Sequence, residues 1–277
     1  MADTTYSIII KPKTGWASIN FKELWLFREL FYIFAWRDIK VRYKQTAIGI
    51  IWAVLQPFLS MVIFSTFFGG LAKIPSNGIP YPIFVFSGLL FWNYFSISLS
   101  GSSNSLVANE GIIKKIYFPR LLLPLSSTIT PIIDFGVAMF VLIGMMFYYR
   151  FVPTLLGVFI LPLLIFLSFL AASGFGSLLA AINVRFRDIR EALPFFIQTL
   201  FFVTPVIYPS TLLPEKFRWI LALNPMTGII EAARAGIVGN KPVDFRSLAF
   251  SATIAVTLFI IGIFYFKRTE RVFADIA

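Results

Sequence analysis

The chain has 277 residues, of which 58% are hydrophobic, 18% are aromatic and only 13% are charged. A soluble domain carries about 25% charged residues, so an ordinary water-exposed surface is excluded and a membrane protein is indicated. The net charge is +11, from 24 Lys and Arg against 13 Asp and Glu. Because Cys and His are both absent, disulfides, thiolate sites and a histidine general base are excluded, and enzymatic chemistry is disfavoured.

The N-terminal part of the chain changes character near residue 21. Residues 1–20 are polar and mixed, and they are predicted to be a cytoplasmic tail without a signal peptide. Residues 21–45 combine aromatic and charged side chains, which is typical of an amphipathic helix lying in the cytoplasmic interface. Such a helix serves either as a simple membrane anchor or as a docking surface for a cytoplasmic partner.

Five apolar stretches are long enough to cross a bilayer, which takes about 20 residues. A sixth is shorter and is bracketed by Pro194 and Pro205. The predicted spans are residues 47–70, 83–107, 121–148, 155–182, 192–207 and 248–266. They form one transmembrane domain, 46–268, followed by a cytoplasmic C-terminal tail, 269–277.

Between spans five and six, residues 219–239 are apolar but contain Asn224, Pro225, Glu231 and Arg234. A charge at the bilayer centre costs about 2.5–3.5 kcal/mol, and a proline breaks a continuous helix. We therefore predict a re-entrant periplasmic helical hairpin, buried against other helices, within a gate segment at 209–240. The predicted fold class is an all-α membrane protein with six transmembrane helices. In this topology 17 of the 24 Lys and Arg residues lie on the side of both termini, which the positive-inside rule assigns to the cytoplasm.

Three shorter features add detail. Residues 109–118 are predicted to form a cytoplasmic coupling helix that ends before Pro119, with a plain connecting loop as the alternative.

Asp134 is the one carboxylate in the middle of a span, so it is either a functional acid facing a cavity or a structural acid bonded to a neighbour such as Thr130. The small residues of 171–181 favour close helix packing.

The sequence has no phosphate-binding loop and no Asp-x-Asp pair, and no glycine is followed by lysine. Any ATP chemistry would therefore require a separate subunit. We predict no catalytic residue, no metal site and no cofactor on this chain.

Five segments, in this order, resemble the ABC-2 type permeases that export polysaccharides, the membrane subunits for O-antigen, capsule and teichoic acid. They are WRDIKVRYKQTAIGIIWAVLQP (36–57), GIIKKIYFPRLLLP (111–124), INVRFRDI (182–189), PVIYPSTLLP (205–214) and LNPMTGIIEAAR (223–234). The resemblance implies a homodimer in the bacterial inner membrane, with two copies of a cytoplasmic ABC ATPase that hold ATP and Mg²⁺. It implies an undecaprenyl-type lipid-linked glycan as the substrate and no nucleic acid partner.

The resemblance also implies roles for residues of this chain. Contacts with the ATPase are expected at Glu23, Arg28, Arg37, Asp38, Glu110, Lys114, Lys115, Arg185 and Asp188. The pyrophosphate of the lipid carrier is expected at Arg37, Arg42 and Lys44, whose charge the positive-inside rule alone also explains. The expected conduit aromatics are Trp52, Phe64, Phe67, Phe68, Phe201, Phe202 and Tyr208. The expected gate residues are Pro205, Pro209, Pro214, Trp219, Asn224, Pro225, Glu231 and Arg234.

The predicted function is export of a lipid-linked polysaccharide, O-antigen first and teichoic acid or capsule next. Three other functions fit parts of the sequence. An ABC-2 exporter of a lipid or a drug has the same architecture. A membrane-embedded glycosyl- or phosphotransferase would need acidic ligands, and Glu110, Asp188, Glu215 and Asp244 are too scattered to supply them. A channel or secondary carrier would have only Asp134 as its intramembrane acid.

Overall fold

The computed structural model describes residues 21–44, 49–186, 188–239 and 242–270, and regular structure in these ranges is entirely helical. The predicted N-terminal tail, 1–20, and the last part of the predicted C-terminal tail, 271–277, lie outside the described residues.

Twelve α-helices follow one another through the described ranges. They are α1 (Phe21–Leu26), α2 (Arg28–Lys44), α3 (Gly49–Phe64), α4 (Tyr81–Ala108), α5 (Glu110–Ile113), α6 (Leu122–Ser126), α7 (Thr130–Tyr149), α8 (Leu155–Arg185), α9 (Asp188–Val203), α10 (Arg218–Ala222), α11 (Pro225–Ala233) and α12 (Phe245–Thr269). Wider π turns continue α3 over Ser65–Leu71 and α11 over Arg234–Val238. Short 3-10 turns cover Ser210–Leu212 and Glu215–Phe217.

Five helical segments among the described residues are long and apolar enough to cross a membrane, and they coincide with five of the predicted spans. They are Ile51–Leu71, Tyr81–Ala108, Leu122–Tyr149, Leu155–Arg185 and Phe245–Thr269. The shortest predicted span, 192–207, is not among them. The helix in its place, α9, has 16 residues and carries Asp188 and Glu191 in its first turn. At about 1.5 Å per residue it is shorter than the roughly 30 Å hydrocarbon core.

Helix α4 is the centre of the packing. In its most apolar window 78% of the residues are buried inside the chain, against 11% for the span that contains α3. Four phenylalanines of α4 are almost fully buried: Phe84, Phe86, Phe91 and Phe95. Several serines of α4 are buried as well, and the helix contacts α3, α6, α7, α8, α9 and α11.

Helices α8 and α12 cross with their backbones in contact. Gly174 of α8 lies against the backbone of Leu258 and Phe259 in α12, and Gly262 lies against Gly174 in turn. On another side of α8, Gly176 faces Ser102 of α4. The prediction that the small residues of 171–181 serve helix packing is confirmed.

The two helical segments predicted on the cytoplasmic side are present with different bounds. The segment at 21–45 forms α1 and α2, which are separated at Phe27, and Phe34 and Ala35 of α2 are buried. At 109–118 the helix α5 has only one turn, and i→i+4 backbone hydrogen bonds continue it to Ile116.

The crossing of α8 and α12 predicts a pair of matched variants. In Gly174→Ala the new Cβ collides with backbone atoms that have no rotamer to escape into. We expect a loss of about 1–3 kcal/mol in the free energy of unfolding, measured as a lower melting temperature of the purified protein. Gly144→Ala on α7, where a Cβ meets nothing within 4 Å, is the control. Equal melting temperatures for the two variants would contradict the backbone contact.

Candidate functional site

The segment between α9 and α12 folds as two short helices with a break at Asn224 and Pro225. The Asn224 side chain accepts a hydrogen bond from the Met226 backbone N–H at 2.9 Å, which caps α11. Its amide also donates to Thr204 Oγ1 at 2.6 Å, so the start of α11 is fixed to the end of α9. Pro225 occupies the first position of α11, where a backbone N–H has no partner in the helix.

Arg234, directly after α11, joins this pair of short helices to the rest of the molecule. It is 5% exposed. Its guanidinium donates to three backbone carbonyls: Phe84 at 3.1 Å, Pro205 at 2.7 Å and Val206 at 2.5 Å. It also lies over the Phe84 ring, 3.7 Å from the centroid. Gly88 leaves the necessary space, because a Cβ there would meet the guanidinium.

The other predicted gate residues divide between a pocket and the surface. Glu231, Pro209 and Arg234 line a pocket of about 300 Å³ that Asn77 and Asp244 also border. Pro214 and Trp219 are exposed.

An aromatic cleft of about 700 Å³ lies between α3, α4 and α9. Phe201 is at its centre, with ring centroids 5.7 Å from Phe64, 5.6 Å from Trp92 and 5.4 Å from Phe202. The structure therefore brings together three of the predicted conduit aromatics, on α3 and α9. Trp92 of α4 completes the cluster.

The remaining predicted aromatics lie elsewhere. Trp52 borders a separate cavity, Phe67 is exposed and Phe68 packs against the core. The Tyr208 hydroxyl donates to the backbone carbonyls of Phe202 and Val203, at 3.0 and 2.9 Å, and so satisfies acceptors at the end of α9.

Both glutamines among the described residues, Gln56 of α3 and Gln198 of α9, are exposed. An amide facing hydrocarbon without a partner is costly, so these positions favour a protein or aqueous neighbour over lipid. By contrast, the large exposed residues of α7 are mainly hydrocarbon, among them Ile133, Phe140 and Phe147.

The carboxylate of Asp134 in α7 binds the last turn of α2. Tyr43 donates its hydroxyl proton to Oδ1, and Arg42 Nη2 lies 2.5 Å from Oδ2. The suggested partner Thr130 is therefore wrong, because the partners come from a helix about 90 residues earlier in the chain. Burial and the Asp134 carboxylate raise the pKa of Tyr43, so its hydroxyl stays protonated as the donor.

Arg42 and Asp134 border a cavity of about 500 Å³. Most of its remaining walls are apolar or amide: Trp52, Ala53, Leu55, Gln56, Pro57, Leu90, Asn93, Tyr94, Ile97, Pro131, Phe135 and Ala138. Ile97 of α4 also borders the aromatic cleft, so the two spaces are neighbours. Of the other basic residues predicted to bind a headgroup, Lys44 is exposed and Arg37 points elsewhere.

Arg37 connects α2 to the end of α4. Its guanidinium binds the Asp38 carboxylate at 2.8 Å and donates to Asn109 Oδ1 at 2.7 Å. The Asn109 amide in turn donates to the Ser105 carbonyl at 2.7 Å. Beside this chain of bonds, Lys115 and Ile112 line a groove of about 480 Å³ with Arg37 and Asn109.

Other residues predicted to contact an ATPase lie around the same helix ends. Tyr117 donates to Glu23 at 3.1 Å, and burial together with Glu23 raises the pKa of Tyr117. Lys114 pairs with Glu110 at 2.6 Å. Arg28 donates to the Trp25 carbonyl at 3.3 Å, and Arg185 and Asp188 are exposed where α8 leads into α9.

Four residues of these clusters were not predicted: Tyr43, Trp92, Asn109 and Glu270. Glu270 accepts from the Arg120 backbone N–H at 2.8 Å and pairs with Lys267 at 2.7 Å. Tyr43 and Asn109 lie beside predicted residues, and both are polar side chains next to a span, so they could have been predicted from the sequence. Nothing in the local sequence distinguishes Trp92 from the buried aromatics around it.

The family profile described as ABC-2 type transporter matches residues 29–238. The chain belongs to this family. It is 30% identical over 248 residues to the O-antigen export system permease protein RfbA of Klebsiella pneumoniae, covering 90% of this chain and 95% of that protein. It is also 30% identical over 257 residues to RfbA of Myxococcus xanthus, with 92% and 97% covered. The polysialic acid transport protein KpsM of Escherichia coli is 24% identical over 243 residues, with 85% and 91% covered.

The contacts of Arg234 predict that its loss destabilises the permease. Arg234→Met leaves three carbonyls without their donor, and we expect the free energy of unfolding to fall by about 2–5 kcal/mol. Melting of the purified protein measures the change. Arg246→Met, at an exposed position of α12, is the control and should melt close to the wild type. A stable Arg234→Met variant would contradict the anchoring role.

Proposed function

We propose that this chain is the permease subunit of an ABC transporter that exports a lipid-linked polysaccharide across the inner membrane. O-antigen is the best-supported substrate. The observation that carries the proposal is full-length similarity to two proteins named O-antigen export permeases, together with the polysialic acid transport protein. Capsule or teichoic acid is the next substrate class. The chain itself transports, and a separate cytoplasmic ATPase binds ATP and Mg²⁺.

In this proposal the permease is a homodimer whose conduit runs between the α3 and α9 faces of two copies. Three observations support this arrangement: α3 is the least buried of the candidate spans, and Gln56 and Gln198 are exposed on these two helices. Each subunit has six spans, with α9 as the fifth, extended by the turns after Val203. The α10–α11 hairpin is re-entrant on the outer side, and both termini are cytoplasmic.

The aromatic cleft supplies the surface for sugar rings. Phe64, Trp92, Phe201 and Phe202 offer flat apolar faces, and Ser96, Ser100 and Gln198 add hydrogen-bonding groups beside them. Sugars pack their C–H faces on aromatic rings while their hydroxyls need polar partners. The neighbouring cavity at Arg42 lies where the anionic lipid carrier would enter.

The coupling surface is the region around α5. The bonds between Arg37, Asp38 and Asn109 link α2 to α4, so a push on α5 from the ATPase reaches both helices. The groove beside them, lined by Lys115 and Ile112, is where we propose that the ATPase docks.

The proposal is tested in cells that make a lipid-linked O-antigen and lack their own exporter. We expect the permease with its ATPase to restore O-antigen on the cell surface, and an ATPase variant that binds but does not hydrolyse ATP to restore none. Phe201→Ala should lower export at least several-fold through the loss of the stacked cluster at the cleft.

Phe147→Ala, which removes a ring that is 80% exposed on α7, is the matched control and should export normally. Export of a lipid or a drug without any surface polysaccharide would contradict the proposal. Equal export by the Phe201 and Phe147 variants would contradict the role of the cleft.

A further inference from the structure

Asp134 is the only acidic residue within the five candidate spans, and it is 8% exposed. Both of its oxygens are directed at the last turn of α2, one toward the Tyr43 hydroxyl and one toward the Arg42 guanidinium. An isolated carboxylate in this environment is strongly disfavoured, so the acid depends on Arg42 and Tyr43. The reverse holds as well, because Asp134 occupies the positions where another anion would bind Arg42.

The cavity beside this pair has an amphiphilic character. Arg42 and Asp134 are its charged residues, and it continues along Pro57, Leu90, Ile97 and Ala138. A volume of about 500 Å³ is larger than a phosphate needs and suits a chain of several isoprene-like units. A ligand with an anionic phosphate head and a hydrocarbon tail matches both parts of the cavity, the head at Arg42 and the tail along the apolar wall.

We infer that Asp134 is an internal substitute for the phosphate of a polyprenyl-phosphate lipid, and that the lipid displaces it from Arg42. This inference rests on the proposed function, and it adds a regulatory step to the headgroup site. A phosphate presents more charge and more acceptor oxygens to a guanidinium than a carboxylate does. Asp134 keeps the hydrogen bond donated by Tyr43 when Arg42 moves to the phosphate.

The exchange has a mechanical consequence. The ion pair between Arg42 and Asp134 ties α2 to α7. When phosphate takes over Arg42, this ion pair is released, while the hydrogen bond from Tyr43 to Asp134 remains. Arrival of the lipid therefore weakens the attachment of α2 to α7.

The test measures binding of a fluorescent polyprenyl pyrophosphate to the purified permease in nanodiscs. Asp134→Asn should bind about tenfold more tightly than the wild type, because the internal competitor is gone. Arg42→Gln should bind at least tenfold more weakly. Lys40→Gln, which removes an exposed charge two residues away, is the matched control and should change binding less than twofold.

If Asp134 has only a structural role, Asp134→Asn should not increase the affinity for the lipid. Removing one partner of a buried pair destabilises the protein, so Asp134→Asn would then bind the lipid equally or more weakly, and that result overturns the inference. The double variant Arg42→Gln/Asp134→Asn removes both charges, leaves neither one buried without its partner, and should fold. We expect it to bind weakly, like Arg42→Gln, and wild-type affinity in it would also overturn the inference.

Competition identifies the source of the phosphate. Inorganic pyrophosphate and phosphatidylglycerol should each displace the probe at least tenfold less effectively than unlabelled polyprenyl pyrophosphate. Equal competition by either one would overturn the assignment to a polyprenyl lipid. O-antigen export by the wild type is scored separately. Normal export without tighter binding by Asp134→Asn therefore rejects this inference and leaves the proposed function intact.

Discussion

The structure depends on how two charged side chains are accommodated in an apolar interior. Arg234 and Asp134 are each almost fully buried, and each is satisfied by groups that are distant in the sequence. A buried charge that loses its partners costs several kcal/mol, so these contacts fix the elements that supply them. Arg234 thereby holds α11 against α4 and the end of α9. Asp134 holds α2 against α7.

These two anchors belong to a molecule with uneven packing. Helices α4, α8 and α12 form a dense unit in which glycines allow backbone contact. The α3 span and α9 pack on this unit with only part of their surface. Elements with few buried contacts open at the lowest cost. We therefore expect the sparsely packed helices to move more easily than the others, and these helices also border the aromatic cleft.

Those features that depend on a local sequence pattern could be predicted from the sequence. Five spans follow from the length of their apolar runs, and the break at Asn224 and Pro225 follows from the chemistry of capping and of proline. The partner of Asp134 was out of reach, because Arg42 and Tyr43 lie on another helix and no local rule brings them to α7. Trp92 was missed for the same reason. The short α5 shows the weakness of helix bounds read from sequence, since the helix predicted at 109–118 is regular only over Glu110–Ile113.

In the proposed export pathway glycan passes along the α3 and α9 side of the permease, and the absence of cysteine allows a direct test. Phe202→Cys in the cleft and Phe140→Cys on the hydrocarbon face of α7 would each carry a photoreactive label in a complex that is exporting O-antigen. We expect ATP-dependent covalent capture of glycan by the label at position 202 and none at position 140. Capture at position 140 alone, or equal capture at both, would contradict it.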